Sequence, residues 1–303
     1  MSVLHAIGNT PLVELANLNG KRPRVRILGK LEGNNPGGSV KDRAACYMIQ
    51  AAEVSGQLTA EKTILEATSG NTGIALAMIG AAKGYRVKLC MPGCVSMERQ
   101  RVLEALGAEV VLTPSQQGTD GAIREAHRLL AQEPEKYYMP NQFENHHNVF
   151  AHYDSTGPEI FQQTAGEIDV FVAGLGTTGT LMGVARFLKQ RKPDVKIVGV
   201  EPRMGHKIQG LKNMQESIRP GIYDESLLDD KLTVHDEDAF ETTRRLAVRE
   251  GIFVGMSSGA AVAGAMKIAQ GMASGTVVAL LPDRGDRYLS TTLFTPICAK
   301  CPP

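Results

Sequence analysis

Short apolar, β-branched runs alternate along this chain with longer stretches whose apolar residues recur at helical spacing. Residues 25–31, 63–67, 86–91 and 109–112 read as strands in the first half, and 169–173, 196–200 and 276–281 in the second. Between them, Val40, Ala44, Met48, Ile49 and Ala52 share one face of a helix expected from Val40 to about Ser55. Further helices are predicted over 71–83, 97–106 (closing at Gly107), 180–190, 238–251 and 260–269. Strands alternating with helices imply parallel βαβ units, hence an α/β fold whose ligands sit at the carboxyl ends of strands. The polar stretch from Tyr138 to Tyr153 is the expected crossing between two lobes. The polar run from Arg203 to Asp230, with a Pro220-Gly221 turn, is the candidate lid.

Composition narrows the partners. At 303 residues the chain can bury a large core as one unit or two intertwined lobes. A net charge of +1 offers no field for a polyanion, and the absence of Trp with only 5% aromatic residues offers no stacking platform, so nucleic acid is not expected. No apolar run approaches the roughly 18 residues of a membrane span, and Met1 to Pro11 lacks the apolar stretch of a signal peptide. Five cysteines, an odd number, suit a reducing cytoplasm. Cys298 and Cys301 form a lone C-x-x-C beside the terminal prolines, expected to be a frayed tail rather than zinc ligands, and His146, His147 and His152 lack metal-ligand spacing, so no metal is expected.

Candidate chemistry starts at Lys41, in the run Gly33-Asn34-Asn35-Pro36-Gly37-Gly38-Ser39-Val40-Lys41-Asp42-Arg43. A helix N-terminus disfavours a cation, whereas an amine tied to a carbonyl cofactor is tolerated there and loaded for chemistry. The plain alternative is a solvated lysine balanced by Asp42. A second loop, Glu66-Ala67-Thr68-Ser69-Gly70-Asn71-Thr72-Gly73, lies between strand and helix and gathers hydroxyls with unpaired N–H groups, a socket for a carboxylate or phosphate; the alternative is N-capping by Ser69 or Asn71. A third, Gly174-Leu175-Gly176-Thr177-Thr178-Gly179-Thr180, reads as G-x-G-x-x-G with Glu201 ending the next strand, the context of a dinucleotide fingerprint. Its three threonines suit a terminal phosphate dianion better than a pyrophosphate. The fourth, Gly255-Met256-Ser257-Ser258-Gly259, either caps a helix through Ser258 or offers a serine to a ring nitrogen. A phosphate-binding P-loop fails because Ser39-Val40 replaces the required Lys-Ser/Thr.

Amine, phosphate cup, carboxylate socket and serine are together the parts of a pyridoxal-phosphate enzyme. The sequence resembles the cysteine synthase (O-acetylserine sulfhydrylase) family of fold-type II pyridoxal-phosphate enzymes, and its B form more than its A form. The resemblance runs in order through Ile7-Gly8-Asn9-Thr10-Pro11-Leu12, the segments 36–43 and 66–72, Gln142-Phe143, Thr156-Gly157-Pro158-Glu159-Ile160, the segments 176–180 and 255–259, and Asp283-Arg284-Gly285-Asp286-Arg287-Tyr288-Leu289-Ser290. It implies a two-lobed, tryptophan synthase β-like α/β fold of parallel-rich twisted sheets flanked by helices. In that fold a smaller mobile lobe over 36–145 carries Lys41 and the carboxylate loop. A larger lobe, 1–35 with 146–303, carries the phosphate cup and Ser257.

The resemblance further implies roles. Lys41 is catalytic and holds pyridoxal 5'-phosphate covalently; Asn71 bonds the cofactor's ring oxygen; Gly176, Thr177, Thr178, Gly179 and Thr180 hold its phosphate; and Ser257 meets its pyridine nitrogen. Thr68, Ser69, Asn71, Thr72 and Gln142 receive the substrate's carboxylate. The implied reaction converts O-acetyl-L-serine and sulfide to L-cysteine and acetate in a cytoplasmic homodimer. Two departures leave thiosulfate open as a donor: Pro282 stands where the B form has Cys, and Lys212-Asn213 stand where it has arginines, so the planar fork is lost. A cystathionine β-synthase-like or other β-replacement on the same fold, a relative that has lost catalysis, and an NAD-dependent oxidoreductase are the other readings. Serine acetyltransferase, a partner of the A form, is left open.

Overall fold

The computed structural model describes residues 2–20, 24–68, 70–93, 95 and 97–294. In chain order these form β1 (Leu12–Glu14), β2 (Val25–Leu31), α1 (Lys41–Val54), β3 (Thr63–Ala67), α2 (Asn71–Lys83), β4 (Arg86–Pro92) and α3 (Met97–Ala105). There follow β5 (Glu109–Thr113), α4 (Gly118–Gln132), β6 (Tyr137–Tyr138), α5 (His147–Ala151), α6 (Gly157–Gln163), β7 (Val170–Gly174) and α7 (Gly179–Arg191). The chain closes with β8 (Lys196–Pro202), β9 (Asp230–Val234), α8 (Asp236–Glu250), α9 (Met256–Gln270) and β10 (Gly275–Leu281). Contacts divide it into two compact units, Met1–Ile7 with Asn35–Asn148 and Gly8–Asn34 with Val149–Pro303.

The first unit is built on a four-stranded parallel sheet in the order β5-β4-β3-β6. All five residues of β3 are buried, as a central parallel strand covered on both faces requires. Ile64 and Leu89 pack under α1 and α2 with Ile49, Ile74 and Ile79, while Leu65, Ala67 and Cys90 pack under α4 with Ala122 and Ala126.

The second unit carries a six-stranded sheet in the order β1-β2-β10-β7-β8-β9. Only β1 runs antiparallel to its neighbour. Its core joins Val172, Val200, Val277 and Ala279 of the strands to Ala260, Val262 and Ala265 of α9. At the rim of this core Lys30, fully buried, donates to the Thr10 carbonyl at 2.7 Å, to Glu159 at 2.7 Å and to Gln163 at 2.8 Å.

The run expected as a lid is a surface loop anchored at several points. Glu216 accepts the Gly205 N–H at 2.9 and 3.0 Å, Asp236 accepts from Lys207 N at 2.9 Å, and Ile208, Leu211 and Ile222 are buried. Polar side chains within the run satisfy part of its own backbone, as Glu216 does for Gly205 and Asn213 for Gln215. The run ends by feeding β9 into the sheet. Among the described residues no helix is long and apolar enough to cross a membrane.

Candidate active site

Lys41 opens α1, its N–H donating to Ser39 Oγ at 3.2 Å. Asp42 is not a solvated counter-charge: it is fully buried, and its carboxylate accepts the Gly37 N–H at 2.6 Å. A Cβ at Gly37 would stand 2.5 Å from Asp42 Oδ1, so the glycine is what lets the carboxylate close the turn that delivers Lys41. Lys41 itself is part-buried.

In the same unit β3 runs through Thr68 into α2, whose N-cap is Gly70 with no side-chain cap. The capping alternative therefore fails for Asn71, which is the first helical residue; Ser69 lies outside the described residues. Gly70 N donates to Thr68 Oγ1 at 3.3 Å. Thr72 Oγ1 donates to Gln142 Oε1 at 2.7 Å across 70 residues of sequence, and Asn148 Nδ2 fixes the Gln142 carbonyl at 2.8 Å. Thr68, Thr72 and Gln142 are all buried. With Oε1 engaged by Thr72, the amide of Gln142 turns its NH2 end away from that hydroxyl.

In the second unit β7 delivers Gly174–Gly179 to the start of α7. A Cβ at Gly176 would lie 2.5 Å from the Gly210 carbonyl oxygen, so this loop and the 203–216 loop touch backbone to backbone. Lys212 N also donates to the Leu175 carbonyl at 2.7 Å. Thr178, the N-cap of α7, has φ +69, a left-handed conformation rare outside glycine. It is 3% exposed and its hydroxyl has no partner among the described residues. Thr180 Oγ1 is 3.2 Å from His152 Nε2, and His152 Nδ1 is 2.8 Å from Thr156 Oγ1. His152 is buried in a π-helical turn over residues 152–156. In the sequence His152 shows only as a histidine of a polar loop, because π-turns leave no periodic signature.

Ser257 lies buried in the first turn of α9. Gly255 is the N-cap and no side chain caps the helix, so Ser258 does not serve as its cap; the Ser258 hydroxyl is fully buried without a partner among the described residues. A shared electrostatic pattern runs through these loops. The first turns of α2, α7 and α9 contain no acidic residue, whereas α8 begins with Asp236, Glu237 and Asp238. Three helices thus leave their positive ends open for an anion.

Glu66 opens the carboxylate loop in the sequence without a role of its own. It is buried at the end of β3 and burial pushes its carboxyl up to about 7, against the pull of the Ala67, Gln142 and Asn141 N–H groups. A lone acid in the otherwise apolar strand Thr63–Ala67 was the available signal.

The dinucleotide alternative loses its acid. Glu201 accepts from Met214 N at 3.3 Å and pairs with Lys231 at 3.5 Å, leaving it engaged inside its own fold. The donor set instead fits pyridoxal phosphate: an unpartnered buried hydroxyl on Thr178, a helix start without acid, and a glycine where only main chain fits. The model of the family described as pyridoxal-phosphate dependent enzyme matches residues 3–283. The chain belongs to this family, as a fold-type II member, and its cofactor is pyridoxal 5'-phosphate. It is 51% identical to cysteine synthase B of Salmonella typhimurium over 288 residues (95% of this chain, 94% of that one). It is 50% identical to cysteine synthase B of Escherichia coli over 295 residues (97% and 96%). Among solved structures, a cysteine synthase from Entamoeba histolytica superposes with a TM-score of 0.93 at 40% identity, covering 97% of this chain and 90% of that one. An O-ureido-L-serine synthase superposes at 0.91 with 41% identity (98% and 95%).

Proposed function

We propose that the chain carries out a β-replacement in which O-acetyl-L-serine loses acetate from Cβ and sulfide takes its place, giving L-cysteine. The observation that carries this reading is the 51% identity to a cysteine synthase B across 95% of the chain. Pyridoxal phosphate, when bound, supplies an aldehyde that captures amines and a ring that draws electrons from the bonds at Cα. Lys41 holds the cofactor until substrate arrives, then takes the Cα proton as general base and later returns it. Thr68, Ser69, Asn71, Thr72 and Gln142 grip the substrate's carboxylate, which orients its Cα–H towards that amine; Asn71 also bonds the ring oxygen. Gly176, Thr177, Thr178, Gly179 and Thr180 hold the phosphate, with His152 orienting Thr180. Ser257, buried in the first turn of α9, would offer the bound cofactor's ring nitrogen a neutral hydroxyl rather than a carboxylate. A smaller lobe over 36–145 closing on the larger one would exclude water from the reacting carbon.

Sulfide is the donor this geometry supports. Asn213, where an arginine would be needed to fork a larger anion, is buried with Nδ2 on the Pro202 carbonyl at 2.8 Å and Oδ1 accepting Gln215 N at 2.9 Å. The family resemblance adds a cytoplasmic homodimer, and likeness to the B form favours function without serine acetyltransferase. Purified holoenzyme given O-acetyl-L-serine should release cysteine with sulfide and far less product with thiosulfate. Borohydride reduction should leave the cofactor's mass on the peptide containing Lys41. No cysteine formed, or a label on another lysine, would overturn the reading; sedimentation showing only monomer would remove the dimer.

A further inference from the structure

The parallel ladder between β3 and β6 pairs Thr63 with Tyr137 and Ile64 with Tyr138. Continued in register it brings Glu66 beside Pro140, which has no N–H to give. The chain then turns through Asn141, whose φ of +49 is unusual for a residue with a side chain. The consecutive N–H groups of Asn141, part-buried, and Gln142, buried, thus lie past the end of β6, and amides withdrawn from water need an acceptor. Consecutive amides around a left-handed residue form a concave seat for a negative group. Glu66 supplies one. Its Oε1 accepts the Ala67 N–H at 3.1 Å, its Oε2 is buried without a hydrogen-bond partner among the described residues, and the Asn141 and Gln142 amides both favour its ionised form. Gln142 is also the residue that Thr72 engages at 2.7 Å.

We propose that Glu66 is a positioning residue for the amino-acid substrate: through the Asn141 and Gln142 amides it sets the Gln142 arm against Thr72, and it does so most firmly when ionised. This rests on the reading of Thr68, Asn71, Thr72 and Gln142 as the carboxylate socket. A protonated carboxyl would present an O–H where two N–H groups need acceptors, and the arm would loosen. Around Glu66 the titratable neighbour on β6 is Tyr138, pushed up to about 12 by burial and by Glu66 itself, so it stays neutral near pH 7. On β4 the paired residue is Leu89, with Lys88 and Cys90 turned to the opposite face of the sheet. The helices on the Glu66 face, α1 and α2, pack there with Ile49, Ile74 and Leu76.

The test is steady-state kinetics of Glu66→Gln holoenzyme with O-acetyl-L-serine and sulfide from pH 6 to 8. KM for O-acetyl-L-serine should rise about tenfold at pH 8, with kcat within threefold of wild type and cofactor content unchanged. Wild-type KM should fall with pH through about 7 more steeply than the variant's, since deprotonation of the substrate amine is common to both. A variant KM within twofold of wild type, or cofactor loss accompanying the rise in KM, would overturn the proposal. If Glu66→Gln does not fold, the wild-type profile alone decides: a KM that is flat over this range sinks the inference. Wild-type enzyme inactive on this substrate pair would instead sink the functional reading beneath it.

Discussion

Single residues here do two jobs, and Glu66 shows the conflict between them. Its folded pKa of about 7 lies above the 4.5 of an ordinary glutamate. Below pH 4.5 the carboxyl is neutral in both the folded and unfolded chain and costs nothing. As pH rises towards and past 7 the unfolded chain releases this proton before the folded one, so folding loses stability, by up to about 3 kcal/mol. Glu66→Gln should remove that slope. Urea unfolding at pH 5 and pH 8 should show the variant gaining on wild type at the higher pH; an unchanged difference would place the group's pKa near its ordinary value. Residues of this kind are hard to find in sequence, because Glu66 is adverse to its strand and intelligible only once Pro140 and Asn141 are seen beside it. Lys41 was easier, because a cation at a helix start conflicts with its own local setting. Thr72 shows among the loop hydroxyls, whereas Gln142 comes only from the resemblance, since a separation of 70 residues hides their bond.

Elements were far more legible, because burial on both faces imposes continuous apolar runs and helices impose their own period. The strand Thr63–Ala67 and the helix Asn71–Lys83 lie where the pattern puts them, and most other predicted boundaries shift by one to four residues. The failures have causes. Gly118–Gln132 begins with glycine, threonine and aspartate, which obscures the apolar stripe through Ala122 and Ala126. The two-residue β6 is too short to carry a period. The loop over 203–230 is polar, yet it lies against Leu175 and Gly176 of the proposed phosphate cup. Its contact with that cup predicts an element-level effect. In Gly176→Ala the new methyl meets the Gly210 carbonyl at 2.5 Å, which is main chain and cannot swing aside. The variant should be purified with most of its cofactor missing and lose about 1–3 kcal/mol of stability from overpacking. Cofactor absorbance per chain together with thermal melting checks both, and full occupancy would show that the two loops can part.

At the level of the whole molecule, the chain passes between its two compact units three times, so neither unit is a continuous stretch. The first needs only residues 1–7 from outside its main segment, and it has a complete parallel sheet within 35–148. The second is more exposed to truncation, because β2 lies between β1 and β10 and pairs with β10 over seven residues, Gly275 to Leu281. A fragment of residues 149–303 would leave the whole inner edge of β10 unpaired and bare the core around Val277 and Ala279. It should aggregate, whereas a fragment of residues 35–148, which holds the whole of the other sheet, should stay soluble with helical circular dichroism. A soluble, cooperatively melting 149–303 fragment would contradict this.

The left-handed backbone at Thr178 has a consequence for how this chain could change over generations. Glycine there would relieve the φ of +69 and firm up the empty protein by about 1 kcal/mol, yet would delete the buried hydroxyl that has no partner among the described residues. Lineages selected for heat tolerance and lineages selected for retaining a scarce vitamin would therefore be drawn to different residues at one codon.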